Sequence, residues 1–243
     1  MLPGEASEMS DASACDPQTV SGRAIAAVAK VIGNPTSADV LDALLSDREL
    51  TVSAIATEIG AARSTVSEAV AALAAAGLVL HRREGRRTIV RLAGDETADV
   101  LEALGRLAQP PAPIGLRAVT RMDALRRART CYDHLAGELG VRLADCLLSR
   151  GVLSSAEDET WRLSEDGRRH LITLGLDPAM LAATDRRPLV RACPDWTEHG
   201  PHVAGRLGAA ICTLWLQRGM VRRLPASRAV QVMPAAEDWL ARL

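Results

Sequence analysis

Residues 51–92 read TVSAIATEIGAARSTVSEAVAALAAAGLVLHRREGRRTIVRL, and the reading of this stretch decides the fold. Ile55, Ala56 and Ile59 share one helical face. Gly60 stops that helix, because glycine tolerates the left-handed conformation that ends many helices. Ser64 or Arg63 opens a second helix, with Glu68 placed to support its first turn. Val66, Val70 and Leu73 recur at helical spacing, and Gly77 marks the end. That face is core. The opposite face begins with Arg63, Ser64, Thr65, Ser67 and Glu68. Such side chains read base edges or grip phosphates when a helix enters a major groove.

After Gly77, Leu78, Val79 and Leu80 read as a strand, and residues 88–92 as its partner. Between them lies a Gly85-centred turn flanked by Arg82, Arg83, Arg86 and Arg87. A basic hairpin following a reading helix is the wing of a winged helix-turn-helix. Its arginines neutralise phosphates and can enter a minor groove. Helix-turn-helix and wing, in this order and with short links, point to double-stranded DNA far more specifically than either alone.

From about Ala24 to Leu107 the chain resembles the arsenic-repressor (ArsR) family of bacterial regulators. The resemblance is carried by GNPTSADVLDALL, by STVSEAVAALAAAGLV and by the hairpin ending RLA. It implies a homodimeric repressor that releases DNA when an inducer binds. It does not extend to that family's ligands. The paired cysteines frequent before its reading helix are absent from ATEIGAA, and the last helix, DETADVLEAL, has no histidine of the family's zinc sensors. Sensing therefore belongs to the second half of the chain.

The 243 residues suffice for one large domain or two ordinary ones, and 48% apolar residues allow a substantial core. The net charge of −1 excludes DNA affinity from global charge and leaves it to local arginines. Lys30 is the only lysine; a GC-rich genome accounts for that bias as well as bidentate phosphate recognition does. No apolar run approaches a membrane span, and the N-terminus lacks the pattern of a signal peptide, so a cytoplasmic protein without membrane contact is expected. In that compartment five cysteines read as thiols or ligands, not as a disulfide framework.

The expected fold is mainly α with small β-hairpins. Residues 1–23 form a flexible tail carrying Cys15 as a spectator thiol, and residues 24–108 a winged helix-turn-helix domain that binds DNA and dimerises. Within it, Thr36 or Ser37 caps a second helix after Pro35, and residues 95–107 form a final helix with an apolar stripe of Val100, Leu101, Leu104 and Leu107. In the ArsR-like arrangement that the resemblance implies, this helix and the first one pack across a twofold axis; packing on the chain's own second domain is the alternative. Residues 109–115 are a Pro-rich linker. Residues 116–243 form a helical domain built from two helix–hairpin–helix repeats, about 126–176 and 188–243.

The duplication rests on RTCYDHLAGELGVRLADCLLSRGVL from Arg129 and RACPDWTEHGPHVAGRLGAAICTLWLQRGMV from Arg191. His134 to Gly137 matches His202 to Gly205, Gly140 matches Gly208, and Gly151 matches Gly219. Helices running from His134 and from His202 are expected, with Leu135, Leu139, Leu143 and Leu147, and Leu207, Ala210, Ile211 and Leu214, as core stripes. Cys146 and Cys212 read as core thiols; Trp196 and Trp215 fill the core or line a pocket.

Chemistry gathers where these repeats begin. Cys131 and His134 lie three apart, and Cys193 and His202 stand at the matching place, with His199 as a further candidate. Thiolate and imidazole are the ligands of zinc and other thiophilic ions. If the repeats meet, Cys131, His134, Cys193 and His202 make a four-ligand site, with Asp133 and Asp195 behind the imidazoles. A reactive-thiol or small-molecule pocket and plain packing remain alternatives. The function expected is a DNA-binding transcriptional regulator, a repressor acting as a homodimer on an operator, with effector sensing in the C-terminal domain. Two others stay open: an enzyme using Cys131 as nucleophile and His134 as base, and an architectural DNA-binding protein with a structural second domain. Against an enzyme, the sequence has no phosphate loop, nucleophile elbow or metal-hydrolase helix.

Overall fold

The computed structural model describes residues 21–45, 49–108, 115–155, 160–182, 187–225 and 227–243. Residues 1–20, with Cys15, and the linker residues 109–114 lie outside the described residues. Helix α1 (Gly22–Ile32) starts earlier than the sequence suggested, because the Ser21 side chain accepts from Ala24 N and caps it. Helix α2 (Pro35–Leu44) is capped by Asn34, whose Oδ1 accepts from Ser37 N, and not by Thr36 or Ser37. Pro35 at the first position needs no hydrogen-bond partner there.

Strand β1 (Leu50–Thr51) leads directly into α3 (Val52–Ile59), with Thr51 as cap and Gly60, at φ 68°, as the left-handed stop. Helix α4 (Arg63–Ala75) opens after Ala62, which offers no side-chain cap, and Glu68 lies beyond the first turn it was expected to support. The wing is longer than expected. Strands β2 (Val79–Glu84) and β3 (Arg87–Leu92) enclose only Gly85 and Arg86, so Arg82 and Arg83 belong to a strand. β3 lies between β1 and β2 in one antiparallel sheet. Val40, Leu41, Leu44, Ile55, Val66 and Leu73 fill the core beneath.

Helix α5 (Asp95–Leu107) closes this domain, and α6 (Leu116–Arg127), which the sequence reading did not anticipate, opens the next. Then one order of elements occurs twice. First come a hairpin of β4 (Arg129–Cys131) and β5 (His134–Ala136), helix α7 (Gly137–Ser149), a hairpin of β6 (Leu153–Ser155) and β7 (Trp161–Leu163), and α8 (Glu165–Thr173). After the short α9 (Pro178–Ala182) come β8 (Arg191–Pro194), β9 (Pro201–Ala204), α10 (Gly205–Gln217), β10 (Val221–Arg223), β11 (Val230–Val232) and α11 (Pro234–Ala241). The unit is thus hairpin–helix–hairpin–helix; His134 and His202, expected to begin helices, sit in strands.

The two units interlock. β5 packs on α10, β9 on α7, and β5 and β9 meet each other. Gly140 and Gly208 make this possible. A Cβ at Gly140 would stand 2.5 Å from Leu135 O and 3.2 Å from His202 Cβ; one at Gly208 would overlap Val203 O and stand 3.1 Å from His134 Cβ. The tightest contact at each glycine is with a carbonyl of its own unit, and the other unit's histidine Cβ stands just beyond it. Leu139, Leu143, Leu147, Leu207, Ile211 and Trp215 fill the second core, where Trp239 meets Trp215 edge-on at 5.4 Å. Cys212 is buried there and Cys146 half-buried against it.

Candidate nucleic-acid interface and metal centre

The outer face of α4 carries Arg63, Ser64, Thr65, Ser67 and Glu68, all exposed. The uncapped N-terminus leaves first-turn N–H groups free, a favourable place for a phosphate. Ser67 is partly committed, since its hydroxyl donates to Arg63 O at 2.8 Å. The wing arginines differ among themselves. Arg82 is held by both oxygens of Glu49 at 2.7 Å and by Glu84 at 3.0 Å, so its charge is largely spent within the protein. Arg83, Arg86 and Arg87 are exposed and form no ion pair among the described residues. A groove between α4 and the wing is lined by Ser67, Ala71, His81, Arg83 and Thr88.

The second site forms where the two first hairpins meet. Cys131 and His134 are cross-strand partners in one, Cys193 and His202 in the other. The ligand atoms of all four lie within 4.8 Å of one another. All four side chains are buried, at 2%, 2%, 3% and 0% exposure in chain order. Ala136 and Ala204 pack around the sulfurs, which are 4.0 Å apart. His199 is not in this group; it is exposed in the β8–β9 loop.

Each histidine has a carboxylate behind it. His134 Nδ1 lies 3.1 Å from Asp133 Oδ1, and His202 Nδ1 lies 3.0 Å from Asp195 Oδ2, off the hydrogen-bond line. The two Nε2 atoms are buried without a hydrogen-bond partner. Burial pulls the His134 imidazole down, but the neighbouring Asp133 and Cys193 outweigh it and raise its pKa. The hydrogen bond with Cys193, and then burial, push the Cys131 thiol well above its ordinary range. Cys193, accepting from Cys131 and flanked by both histidines, is pulled well below it. Both cysteines lie in strands, so the lowered pKa of Cys193 comes from the neighbouring side chains and not from a helix N-terminus.

Asp195 is a hub. It accepts from Arg129 Nη2 at 2.8 Å, from Gly137 N at 2.7 Å and from Thr197 N at 2.8 Å. Burial opposes its charge, but these donors and His202 hold its pKa well down. Arg129 is wholly buried and stacks on the Trp196 ring at 4.7 Å. Trp215 is buried in the core.

The turn of the first hairpin reaches the DNA-reading domain. Tyr132, at φ 58°, packs against that domain's core. Asp133 accepts from Arg187 at 2.5 and 2.9 Å, and Arg187 also pairs with Asp95 of α5 at 2.8 Å. Arg191 pairs with Asp99 at 2.7 Å, Arg228 with Glu102 at 2.5 Å, and Arg106 donates to Pro194 O at 3.5 Å. Asp95, Asp99, Glu102 and Arg106 share one helical edge, a signal that the sequence contained and its reading missed. The apolar stripe divides. Leu101 packs inward, while Val100, Leu104 and Leu107 are 46%, 43% and 79% exposed. α5 therefore meets the second domain through its polar edge. α1 buries none of its residues and exposes Ile25 and Val28. No helix among the described residues is long and apolar enough to cross a membrane.

Residues 32–82 match the helix-turn-helix domain family. The HTH-type transcriptional regulator Rv0324 of Mycobacterium tuberculosis is 34% identical over 120 residues, 47% of this chain and 53% of that protein. A homodimeric winged helix-turn-helix DNA-binding domain from Mycobacterium bovis, described as a possible ArsR-family transcriptional regulator, is 39% identical, covering 35% of this chain and 77% of that one at a TM-score of 0.31. The HTH-type transcriptional regulator YdfF of Bacillus subtilis is 30% identical over 208 residues, 86% of this chain and 91% of that protein. Relatives of this kind give no support to Cys131 and His134 as nucleophile and base. Cys131, buried with a raised pKa, is also poorly suited to nucleophilic attack. With identity extending across both domains, the chain belongs to the HTH-type transcriptional regulators.

Proposed function

We propose that this regulator is a cytoplasmic repressor that binds an operator as a homodimer and answers to an effector taken by its C-terminal domain. The carrying observation is the outward face of α4 beside a wing with three exposed arginines that form no ion pair among the described residues. Arg63, Ser64, Thr65 and Glu68 read base edges, Arg83, Arg86 and Arg87 neutralise phosphates, and Ser67 accepts from a base or water. Arg82 stiffens the wing through Glu49 instead of reaching DNA. A second copy covers Val100, Leu104 and Leu107 of α5 and the exposed side of α1, which places two reading heads on a palindrome. Tyr132, Asp133 and Arg187 connect the C-terminal hairpin to α5, so a change in that hairpin shifts the spacing of the heads.

Selection from a random duplex library with the purified full chain tests this. The expected product is a palindromic consensus whose affinity falls steeply with salt. Replacing Arg83, Arg86 and Arg87 together by alanine should cut binding to the selected duplex at least about tenfold and flatten the salt slope. A triple variant that binds with unchanged slope overturns the proposed interface.

A further inference from the structure

We propose that Cys131, His134, Cys193 and His202 bind one Zn2+ ion in a closed tetrahedral site that joins the two hairpins. Only the purpose of the ion, not its binding, depends on the regulatory role proposed above. Geometry carries the assignment. A tetrahedral zinc with two sulfurs at about 2.3 Å requires a sulfur–sulfur edge of about 3.8 Å, and the pair here stands at 4.0 Å. A disulfide requires about 2.05 Å, roughly half that separation.

The second observation is independent of the sulfurs. Two imidazole Nε2 atoms are buried without a partner. A buried polar atom without a hydrogen bond leaves its lost hydration uncompensated, and two such atoms flank one thiol pair. The carboxylates of Asp133 and Asp195 stand at the Nδ1 side of each ring. A proton on Nδ1 leaves the Nε2 lone pair for the metal, an arrangement in which an outer carboxylate orients a ligating histidine.

The donor set selects the ion. Two thiolates and two neutral imidazoles favour zinc over magnesium, calcium or manganese, which prefer oxygen. Two thiolates also cancel the +2 charge, so the loaded centre is neutral in its buried setting. All four positions are filled by side chains, which leaves none for a substrate or a catalytic water. On binding, both sulfurs become thiolates and whatever thiol protons they carry leave to solvent; no electron is transferred.

The test uses the full chain, purified under reducing conditions, stripped with a chelator and titrated with Zn2+ against a chromophoric competitor. One equivalent should bind with a Kd in the nanomolar range or tighter. Co2+ in its place should give intense tetrahedral absorption and a thiolate-to-cobalt charge-transfer band. Cys193→Ser and His202→Gln should each weaken Zn2+ binding by more than about tenfold, and Asp133→Asn by about 10- to 100-fold. Should the ligand variants fail to fold, thiol labelling of the unaltered protein decides: Zn2+ should protect Cys131 and Cys193, and chelation should release them. An unaltered chain that takes no Zn2+ from the competitor, or a Co2+ spectrum of octahedral oxygen ligation, overturns the site.

Discussion

At the scale of single residues, the second domain is organised by two glycines and one buried ion pair. Gly140 and Gly208 let each unit's helix lie against the other's histidine hairpin, with no room for a methyl group. Gly140→Ala should therefore cost about 1–3 kcal/mol in stability, because the new Cβ meets backbone that cannot yield cheaply. Urea unfolding measures it; an unchanged midpoint would contradict this packing. Arg129 and Asp195 form an ion pair with both side chains fully buried. Arg129→Ala strands a buried carboxylate and should destabilise by about 3–5 kcal/mol, partly relieved by the backbone donors from Gly137 and Thr197. Thermal denaturation compared with Arg129→Met separates lost charge from lost volume.

At the scale of elements, α5 works on two sides at once. Its polar edge is held by Arg187, Arg191 and Arg228 of the second domain, and its apolar edge is left open. Glu102 and Arg228 are both largely buried, so Glu102→Ala leaves an arginine with only Asp42, 3.4 Å away, as a counter-ion among the described residues. It should cost roughly 3 kcal/mol and speed hydrogen exchange along α5, whereas Glu102→Gln, which keeps a hydrogen-bond acceptor, should cost less. Equal losses in the two variants would mean that charge contributes nothing at this contact. Asp95 and Asp99 are more exposed, and their pairs with Arg187 and Arg191 matter more for orientation than for stability.

At the scale of the molecule, net charge near zero places the burden of DNA affinity on the wing and the uncapped α4. It also leaves the proposed dimerisation to the apolar residues that one copy does not cover. Leu104→Glu should leave folding within about 0.5 kcal/mol, since the side chain is exposed in a single copy. It should shift sedimentation from dimer to monomer and lower operator affinity in parallel. A variant that remains dimeric would place the interface elsewhere.

The local signals were legible because they are local. Helical period, Gly60, the basic hairpin and Pro35 follow from backbone preferences within a few residues, and they suffice for a winged helix-turn-helix. The matching of His134 with His202 and of Gly140 with Gly208 was equally open to reading, since duplication preserves spacing. Other features escaped. Asn34 displaced Thr36 as the cap because Pro35 already occupies the first helical position, and Arg82 is engaged by Glu49, thirty-three positions earlier. The strand setting of Cys131 and His134 looked helical because three-residue spacing fits a helix turn and a two-residue hairpin alike. What the chain decided by itself is the DNA-reading head and the identity of four candidate ligands, for these depend on residue type and short spacing. Only the tertiary structure decided that the four converge, and that one of their hairpins rests on the DNA-reading domain. Such meetings are set by how two packed units and one polar helix edge fit together, which no local preference encodes.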